Sequence, residues 1–574
     1  MRIGLLTEGG YPYVSGDARL WCDRLVRGLG GHEFDIYALS RSERQEDAGW
    51  IELPPQVSRV RTAPLWTAED DGVGYGRRTR RRFAECFGEL AAALCAGPDA
   101  GNASDGPDAS TAEADRFGNA LYGLAELARD EGGLVGALRS EAAVRALERA
   151  CRAPGALGAA REARVPDLLT VAAHLERALR PLSLDWYEDD GLGSVDLCHA
   201  AGGGPAALPG LLAHHFSGVP LLVTEYGVPL RAHYLASGAD DSAPAVRSLL
   251  AAFHGRLASE TYRKAALVTP GNTHTRRWQE RCGADREKLR TVYPGMDASH
   301  FAEVGESPET ADPSTLIWVG RIEPAKDLIS LLHAFAEVRK EEPKTRLRII
   351  GAATGAESEA YLGHCKALAA QLFPDEAEGM HAVGDNPVSF EEIGGPEAPT
   401  LAEAYAAGAV VVLSSVVEGF PISLVEAMFC ARATVSTDVG AVVEIIGGTG
   451  LVVPPRNPRA LAEACVALLQ DPERRERLGA AARARALELF TVEQNIAAFH
   501  GIYLEVVSRS PVNKVVLDDT GEPLPFAVPA EAHVAGRWTH AGIRVVARGG
   551  PSWATGRASA PVQATPVPAG EGAR

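Results

Sequence analysis

The sequence predicts an α/β protein whose strands form parallel sheets covered by helices. Short runs of Val, Ile and Leu alternate along much of the chain with longer segments of helical spacing. Those runs are apolar at nearly every position, as expected of parallel strands that are buried on both faces. Because 574 residues are too many for one ordinary domain, two or three domains are expected.

The first domain opens with a strand, a glycine-bearing loop and a helix. The strand is expected over 2–7, the loop over 8–16 and the helix over 18–29, and a second strand follows at 33–39. Glycine in such a loop lets the backbone approach a phosphate, so Gly16 is a candidate binding residue. The loop lacks the G-x-G-x-x-G spacing of the dinucleotide-binding fingerprint.

Between about 67 and 181 the alternation is interrupted by a predicted helical insertion. Segments at 80–94 and 134–150 are rich in Ala, Leu, Arg and Glu and have helical spacing. Residues 96–115 have almost no large apolar side chain and are expected to be disordered. The basic run 77–82 is expected to be a solvated helix face.

The sheet is predicted to resume at 194–200, where His199 precedes three glycines. A histidine at a strand end can contact sugar or phosphate groups, and it is structural about as often as functional. His199 is therefore a candidate catalytic residue. Later elements of this domain are a strand at 219–224, a helix at 245–266 and a strand at 267–269.

The second domain begins at 315 with a strand, a turn and a helix that starts near 325. Arg321 and Lys326 lie five residues apart on this turn. Two cations on a strand-to-helix loop suit a diphosphate, because they stabilise its negative charge; the alternative is a surface pair that only aids solubility. Further strands are expected at 346–351, 380–384, 409–415, 433–438 and 451–453, and helices at 458–470, 472–490 and 492–507.

The stretch around which the chain is organised is a strand, a loop and a helix start at 409–428. Glu418 and Glu426 bracket it with seven residues between them, and Gly419, Phe420 and Pro421 form the turn. Ligands of open α/β sheets bind beyond the carboxyl ends of the strands, next to helix N-termini. The sequence therefore predicts a ligand site here, against the alternative of two solvated glutamates.

This stretch resembles the E-x7-E signature of the family 4 retaining glycosyltransferases, which have the GT-B fold. Gly320, Arg321 and Lys326 match the family's G-R-x-x-x-x-K-G motif, with Asp327 in place of the last glycine. Two further stretches are similar to family motifs. One is the hinge turn at 293–297. The other matches D-V-G-G-x-x-E through Asp438-Val439-Gly440 and Glu444, with Ala441 in place of the second glycine.

The opening loop resembles that of the PelF-like exopolysaccharide glycosyltransferases, E-G-x-Y-P-Y-V-x-G-G. Asp17 replaces its last glycine. That family usually reads T-E-H-G where this chain has Thr224, Glu225, Tyr226 and Gly227, so Tyr226 stands in place of a histidine. The resemblance makes Glu225 and Tyr226 acceptor-side candidates.

The resemblance implies two Rossmann-like, doubly wound domains that face a cleft, over 1–301 and 302–490. A crossover helix at 491–508 and a mostly disordered tail at 509–574 would follow. The implied reaction is transfer of a sugar, with retention, from a nucleotide diphosphate sugar to a saccharide or other acceptor. The PelF-like relatives make a UDP-sugar the expected donor and exopolysaccharide synthesis the expected setting.

The resemblance also implies a role for each candidate. Arg321 and Lys326 would hold the diphosphate, Glu418 the sugar hydroxyls and Glu426 the ribose hydroxyls. The catalytic candidates are Glu418, Arg321, Lys326 and His199. The donor-binding candidates are Gly16, Gly320, Arg321, Lys326, Gly419, Phe420, Pro421, Ile422, Ser423, Leu424 and Glu426.

Composition excludes several other classes of protein. A net charge of −18 argues against nucleic acid as a partner. The nine cysteines contain no C-x-x-C pair, so neither a zinc site nor a disulfide framework is expected, and a reducing cytoplasm fits best. No D-x-D occurs, so no metal cofactor is expected. Without a signal peptide or a long apolar run, at most a peripheral association with a membrane polysaccharide-synthesis complex is expected.

Two other functions fit the same motifs. One is a non-catalytic nucleotide-sugar sensor, suggested by the departures at Asp17 and Tyr226. The other is a different GT-B activity, such as a sugar-nucleotide epimerase, which would consume no acceptor.

Overall fold

The computed structural model describes residues 1–16, 19–68, 71–96, 107–188, 190–236, 242–307, 311–374 and 386–510. Asp17, the expected strand at 380–384 and nearly all of the expected tail lie outside these ranges.

Six parallel strands form the first sheet: β1 (Arg2–Glu8), β2 (Glu33–Ser40), β3 (Val57–Pro64), β4 (Leu197–Ala200), β5 (Leu221–Glu225) and β6 (Leu267–Pro270). Their order is β3-β2-β1-β4-β5-β6. Leu5 of β1 pairs with Ile36 on one side and His199 on the other. The next residue, Leu6, belongs to a different core cluster from Leu5, because successive side chains point to opposite faces of the sheet.

The described helices that precede the second sheet are α1 (Arg19–Gly28), α2 (Glu43–Asp47), α3 (Arg77–Cys95), α4 (Pro107–Glu131), α5 (Leu134–Leu138), α6 (Glu141–Arg152), α7 (Gly158–Arg161), α8 (Val165–Leu179), α9 (Leu208–Ser217), α10 (Pro229–Ala236), α11 (Pro244–Lys264), α12 (Thr273–Arg281) and α13 (Ala302–Glu306). Helices α3 to α8 form the insertion between β3 and β4.

The second sheet repeats the same architecture with β7 (Asp312–Val319), β8 (Arg346–Ile350), β9 (Val388–Glu391), β10 (Gly408–Leu413), β11 (Ala433–Thr437) and β12 (Leu451–Val453). Its order is β12-β11-β10-β7-β8-β9, which is the order of the first sheet read from the other edge. Its helices are α14 (Leu328–Glu341), α15 (Ala356–Leu372), α16 (Leu401–Ala406), α17 (Ile422–Phe429), α18 (Val442–Ile446), α19 (Pro458–Leu469), α20 (Pro472–Leu489) and α21 (Val492–Arg509).

Both sheets are doubly wound, so each has a crevice where the strand order reverses, between β1 and β4 and between β7 and β10. The predicted fold class is confirmed: two Rossmann-like parallel-sheet domains, with a helical insertion in the first. The second crevice places the loop after β7 beside the loop after β10.

Two expectations for the insertion are wrong. Disorder was expected through residue 115, but α4 begins at Pro107, and residues 97–106 lie outside the described ranges. Helix α4 packs through buried Phe117, Leu121 and Leu124, and its first half is held to its neighbours by the ion pair of Asp115 with Arg263. The single helix expected at 134–150 is two helices, because Ser140 has extended backbone and starts α6 as its N-cap.

Strands β3 and β9 were not predicted from the sequence. Strand β3 carries Arg59 and Arg61 where a buried strand would be apolar. Both guanidinium groups donate to Asp190, beyond the insertion, a partnership that local sequence does not reveal.

The two domains are joined by two chain crossings. At the first, Met296 donates its N–H to Phe490 O and accepts from the N–H of Val492, at N–O distances of 2.8 and 3.2 Å. At the second, α21 packs on the first domain, where Phe499 and Tyr503 are buried in the cluster that contains Leu5. Within the described part of the chain, no helix has the length and apolarity to cross a membrane.

Candidate active site

Lys326 and Glu418 form a buried ion pair where the loops after β7 and β10 meet. The Lys326 Nζ lies 2.5 Å from Glu418 Oε1, and the two side chains are 15% and 9% exposed. Ser415 Oγ donates to the same carboxylate oxygen at 2.7 Å. Lys326 and Glu418, each predicted to lie at the ligand site, are therefore brought together, and the charge of the lysine is paired with a carboxylate.

The loop after β7 is shaped to present Lys326. Residues Pro324–Lys326 form a 3-10 turn, and Asp327 has a left-handed backbone with φ of 49°. Its side chain accepts from Ser330 N at 3.3 Å and so caps α14. Ser414 Oγ donates to Lys326 O at 2.7 Å, which ties this turn to the end of β10.

Arg321 lies apart from this pair. Its side chain is 80% exposed, and the carboxylate nearest to it is that of Glu323, at 3.8 Å. The structure thus leaves the Arg321 guanidinium extended into solvent beside the loop, where a ligand can reach it.

Glu426 lies about one turn into α17. Its carboxylate accepts from the Tyr405 hydroxyl at 2.8 Å, and that hydroxyl also lies 3.1 Å from Ser423 O. Burial raises the pKa of Glu426. Because water is partly excluded from this carboxylate, its oxygen is well suited to accept a hydrogen bond from a ligand hydroxyl.

The other donor-binding candidates divide by exposure. Ile422 is 56% exposed and Phe420 half-buried, so both present surface to a ligand. Leu424 is 2% exposed and packs in the core of the second domain, so its side chain cannot contact a donor. The backbones of Gly320 and Gly351 lie against each other, because a Cβ added at Gly351 would strike the carbonyl oxygen of Gly320.

A cavity of about 1220 Å³ lies between the domains. Its walls come from the opening loop and α1, from Tyr226, from the hinge and α13, and from α16 and the start of α17: Gly16, Arg19, Leu20, Trp21, Arg24, Tyr226, Pro294, Gly295, Met296, Asp297, His300, Phe301, Glu303, Val304, Ser307, Thr400, Leu401, Ala402, Glu403, Phe420, Ile422 and Glu426. Of the predicted donor-binding residues, Gly16, Phe420, Ile422 and Glu426 face this cavity.

Gly16 can only be glycine in this backbone. Its φ is 124°, and an added Cβ would strike the carbonyl oxygen of Gly9. The opening loop is thereby folded back on itself at the mouth of the cavity.

Two interdomain contacts were not predicted from the sequence. Arg231 of α10 donates from Nη2 to Glu418 O at 3.0 Å. Glu444 accepts from Thr273 N at 2.7 Å and from the Tyr293 hydroxyl at 2.8 Å. The motif match at Glu444 was a signal for that residue, whereas Arg231 stands in no recognisable motif.

His199 does not reach the cleft, contrary to its candidacy as a catalytic residue. Its ring is 0% exposed, with Nδ1 2.7 Å from the Tyr503 hydroxyl and Nε2 2.7 Å from Thr224 Oγ1. Burial lowers the pKa of His199 to about 3. The residue anchors α21 to the first sheet, because the crossover helix covers the strand end where His199 lies.

The two acceptor-side candidates differ in position. Glu225 is 1% exposed and accepts from the Tyr262 hydroxyl at 2.6 Å and Gln279 Nε2 at 2.8 Å; burial raises its pKa. It is a buried structural carboxyl group and does not line the cavity. Tyr226 lines the cavity, and its ring packs edge-on against Trp21 with 5.5 Å between ring centroids.

The described side chains include no group of three His, Cys, Asp or Glu residues that could hold a metal ion. Among the described residues, the positive charges at or near the cleft include Lys326 and Arg231, together with Arg19 and Arg24 of α1.

Two family models match the chain. Residues 1–287 match the family described as Domain of unknown function (DUF3492), and residues 313–471 match Glycosyl transferases group 1. The D-inositol 3-phosphate glycosyltransferase of Kineococcus radiotolerans is 32% identical over 237 residues, which are 38% of this chain and 52% of that protein. The same enzyme of Frankia alni is 33% identical over 213 residues, 35% of this chain and 50% of that protein. The chain thus spans about half the length of these curated relatives.

Solved structures share the fold at low identity. Sucrose-phosphate synthase from Thermosynechococcus elongatus has a TM-score of 0.51 at 17% identity and covers 89% of this chain and 100% of its own. HepE of Anabaena, in complex with UDP, has a TM-score of 0.50 at 15% identity, with 88% and 99% covered. The chain therefore belongs to the DUF3492 family through its first half and carries a glycosyl transferases group 1 domain in its second, on the GT-B fold.

Proposed function

We propose that this protein is a retaining, family 4 type glycosyltransferase that moves a sugar from a nucleotide diphosphate sugar to a saccharide acceptor. The observation that carries the proposal is the Lys326–Glu418 ion pair at the switch point of the second sheet, on the loop that leads to Glu426 on the wall of the interdomain cavity. Ligands of doubly wound sheets bind at this point.

The diphosphate would be held by Lys326 and Arg321. Lys326 is held in place by Glu418, and Arg321 is free to swing toward an anion, since it is 80% exposed. Together they would offset the charge that develops on the departing nucleotide diphosphate. Because the sequence has no D-x-D pair, we propose that these side chains take the place of a divalent metal ion.

Glu426 would accept hydrogen bonds from the ribose hydroxyls. Its carboxylate already accepts one hydrogen bond, from Tyr405. Glu426 also lines the cavity and lies in the first half of the helix that follows β10. Glu418 has two partners on one of its oxygens, so its second oxygen, Oε2, is the atom left to contact the hydroxyls of the sugar.

UDP is the proposed nucleotide, and we propose that the protein acts in exopolysaccharide synthesis in the cytoplasm. Support comes from the PelF-like opening loop and from HepE, whose structure was solved with UDP. Retention would follow a front-face route in which the departing phosphate helps to take the acceptor proton, a step implied by the family resemblance. The acceptor would enter on the side of α1 and Tyr226.

A thermal-shift panel of nucleotides and nucleotide sugars tests the donor assignment. A ligand at a hundred times its dissociation constant stabilises the folded protein by about 2.7 kcal/mol. We expect UDP and at least one UDP-sugar to raise the melting temperature of the native protein and not that of Lys326→Ala. Stabilisation by another nucleotide alone would reassign the donor, and stabilisation by none would contradict the proposal.

A further inference from the structure

A second cavity, of about 670 Å³, lies in the first domain between the helical insertion and α10, α11 and the end of α12. Helix α10 separates it from the interdomain cleft. Leu230, His233 and Tyr234 on one face of α10 line this cavity, whereas Arg231 on another face reaches Glu418 O in the cleft. The cavity is therefore a separate site and belongs to the first domain alone.

The lining carries a concentration of positive charge. The described residues that line it include Arg247, Arg256 and Arg281, and no aspartate or glutamate. Within the described ranges, no salt bridge joins any of the three guanidinium groups to a carboxylate. Because no carboxylate of the described residues lies within salt-bridge distance of these three arginines, an anion in the cavity would meet charged hydrogen-bond donors.

Arg256 is partly buried, whereas Arg281 is exposed. Burial lowers the pKa of Arg256. The carboxylate of Glu113, which is not among the residues that line the cavity, acts in the opposite direction and raises it. Arg281 is held over the ring of Trp278, with its Cζ 5.4 Å from the ring centroid, so its guanidinium is positioned by packing. Arg247 and Arg256 both belong to α11 and Arg281 ends α12, so the positions of the three cations are set by two helices.

The remaining lining suits a sugar. A phosphate ion would fill only a small part of about 670 Å³, a volume in the range of sites that hold a small organic molecule. Ser248 and Ser259 offer hydroxyl groups, and the exposed ring of Tyr234 offers a flat apolar surface. The floor is made of alanine and of Gly255, which leaves room for a ring.

We infer that this cavity binds an anionic sugar, one that carries a phosphate or a carboxylate group, at a site distinct from the interdomain cleft. The arginines would pair with the anionic group, while the serines and Tyr234 contact the sugar ring. Nothing in this assignment depends on the nucleotide-sugar chemistry of the cleft.

Isothermal titration calorimetry on the full chain tests whether this cavity binds an anionic sugar. Glucose 6-phosphate and glucuronate are the probes, and neutral glucose is the comparison. We expect at least one anionic probe to bind and glucose not to bind. Arg247→Gln and Arg256→Gln should each weaken that binding about tenfold or more, because each removes a charged hydrogen-bond donor. Whichever probe binds more tightly distinguishes phosphate from carboxylate as the anionic group.

Three further variants locate the binding. Gly255→Leu should abolish it by filling the cavity: a Cβ there meets only Leu230, at 3.8 Å, so the backbone tolerates the change. Arg459→Gln, on an arginine that is 85% exposed on α19, is the matched control and should bind normally. Lys326→Ala should also bind normally. Binding lost in Lys326→Ala but kept in the cavity variants, or no binding of either anion, would overturn the inference.

Discussion

The Lys326 ammonium contacts the Glu418 carboxylate at 2.5 Å, in a pocket where both side chains are largely shielded from water. The pair joins the loop after β7 to the loop after β10, the two central strands of the second sheet. Without a donor, the lysine's charge is therefore neutralised by the protein. A bound diphosphate would have to share Lys326 with Glu418, so we propose that the carboxylate positions the cation as well as contacting the sugar.

We expect Glu418→Ala to lower sugar transfer much more than UDP binding. The variant frees Lys326 to bind the diphosphate but removes the group that orients it and the sugar, and loss of one such group costs about a hundredfold in kcat. UDP affinity from calorimetry and kcat from UDP release would be compared in the same preparation. Ser415→Ala, which removes a hydroxyl donor to the same carboxylate oxygen, is the milder control. Equal losses of binding and turnover in Glu418→Ala would contradict this role.

Glu426→Ala should weaken UDP binding about tenfold, because a charged acceptor for the ribose hydroxyls is lost. Tyr405→Phe is the matched control, since it removes the hydroxyl that holds this carboxylate and leaves the carboxylate itself in place. A smaller loss of affinity is expected for the control. Unchanged UDP affinity in Glu426→Ala would show that the ribose lies elsewhere.

Activity should persist in excess EDTA. The charge on the leaving diphosphate would be met by Arg321 and Lys326, and the sequence offers no D-x-D pair for a metal ion. UDP release would be followed with and without the chelator. Complete loss of activity that is restored by magnesium or manganese would overturn the assignment of the two cations.

Acidification should destabilise the fold through His199. Its folded-state pKa, about 3, lies below the unfolded value of about 6.5, so the unfolded chain binds more protons and stability falls as pH drops below about 6.5. Between pH 7 and pH 5 this histidine should cost on the order of 2 kcal/mol of unfolding free energy. In urea denaturation, the free energy of unfolding of His199→Gln should therefore fall by about 2 kcal/mol less between pH 7 and pH 5 than that of the native protein. An unchanged slope in His199→Gln would refute the prediction.

What the sequence predicted well was local. Lys326 and Glu418 stand on strand-to-helix loops, and Glu426 lies in the helix that follows the second loop. The apolar runs, glycines and turn residues of these segments can be recognised within about twenty positions of the chain. Parallel pairing then brings the two loops to one edge of the sheet, so the pair follows from topology.

What the sequence did not predict depends on distant segments. His199 looked like a residue at an open strand end, but Tyr503, 304 positions later, folds over it. Glu225 is likewise covered by Tyr262 and Gln279. Arg231 comes to Glu418 only because the two domains meet, and no spacing pattern within either domain encodes that contact.

The measurement that tests the central claim most directly is transfer itself. The full chain would be incubated with a panel of UDP-sugars, with and without oligosaccharide acceptors, and UDP release followed for the native protein, Lys326→Ala and Tyr226→His. Tyr226 can donate or accept a hydrogen bond as a histidine can, so we expect the native protein to transfer sugar. Unlike a histidine, it carries no positive charge near neutral pH, so its donor or acceptor preference should differ from that of the PelF-like relatives. Lys326→Ala should be inactive, and Tyr226→His should change the preferred donor or acceptor. Tight UDP-sugar binding by the native protein without hydrolysis or transfer, together with transfer gained by Tyr226→His, would contradict this account and identify a sensor.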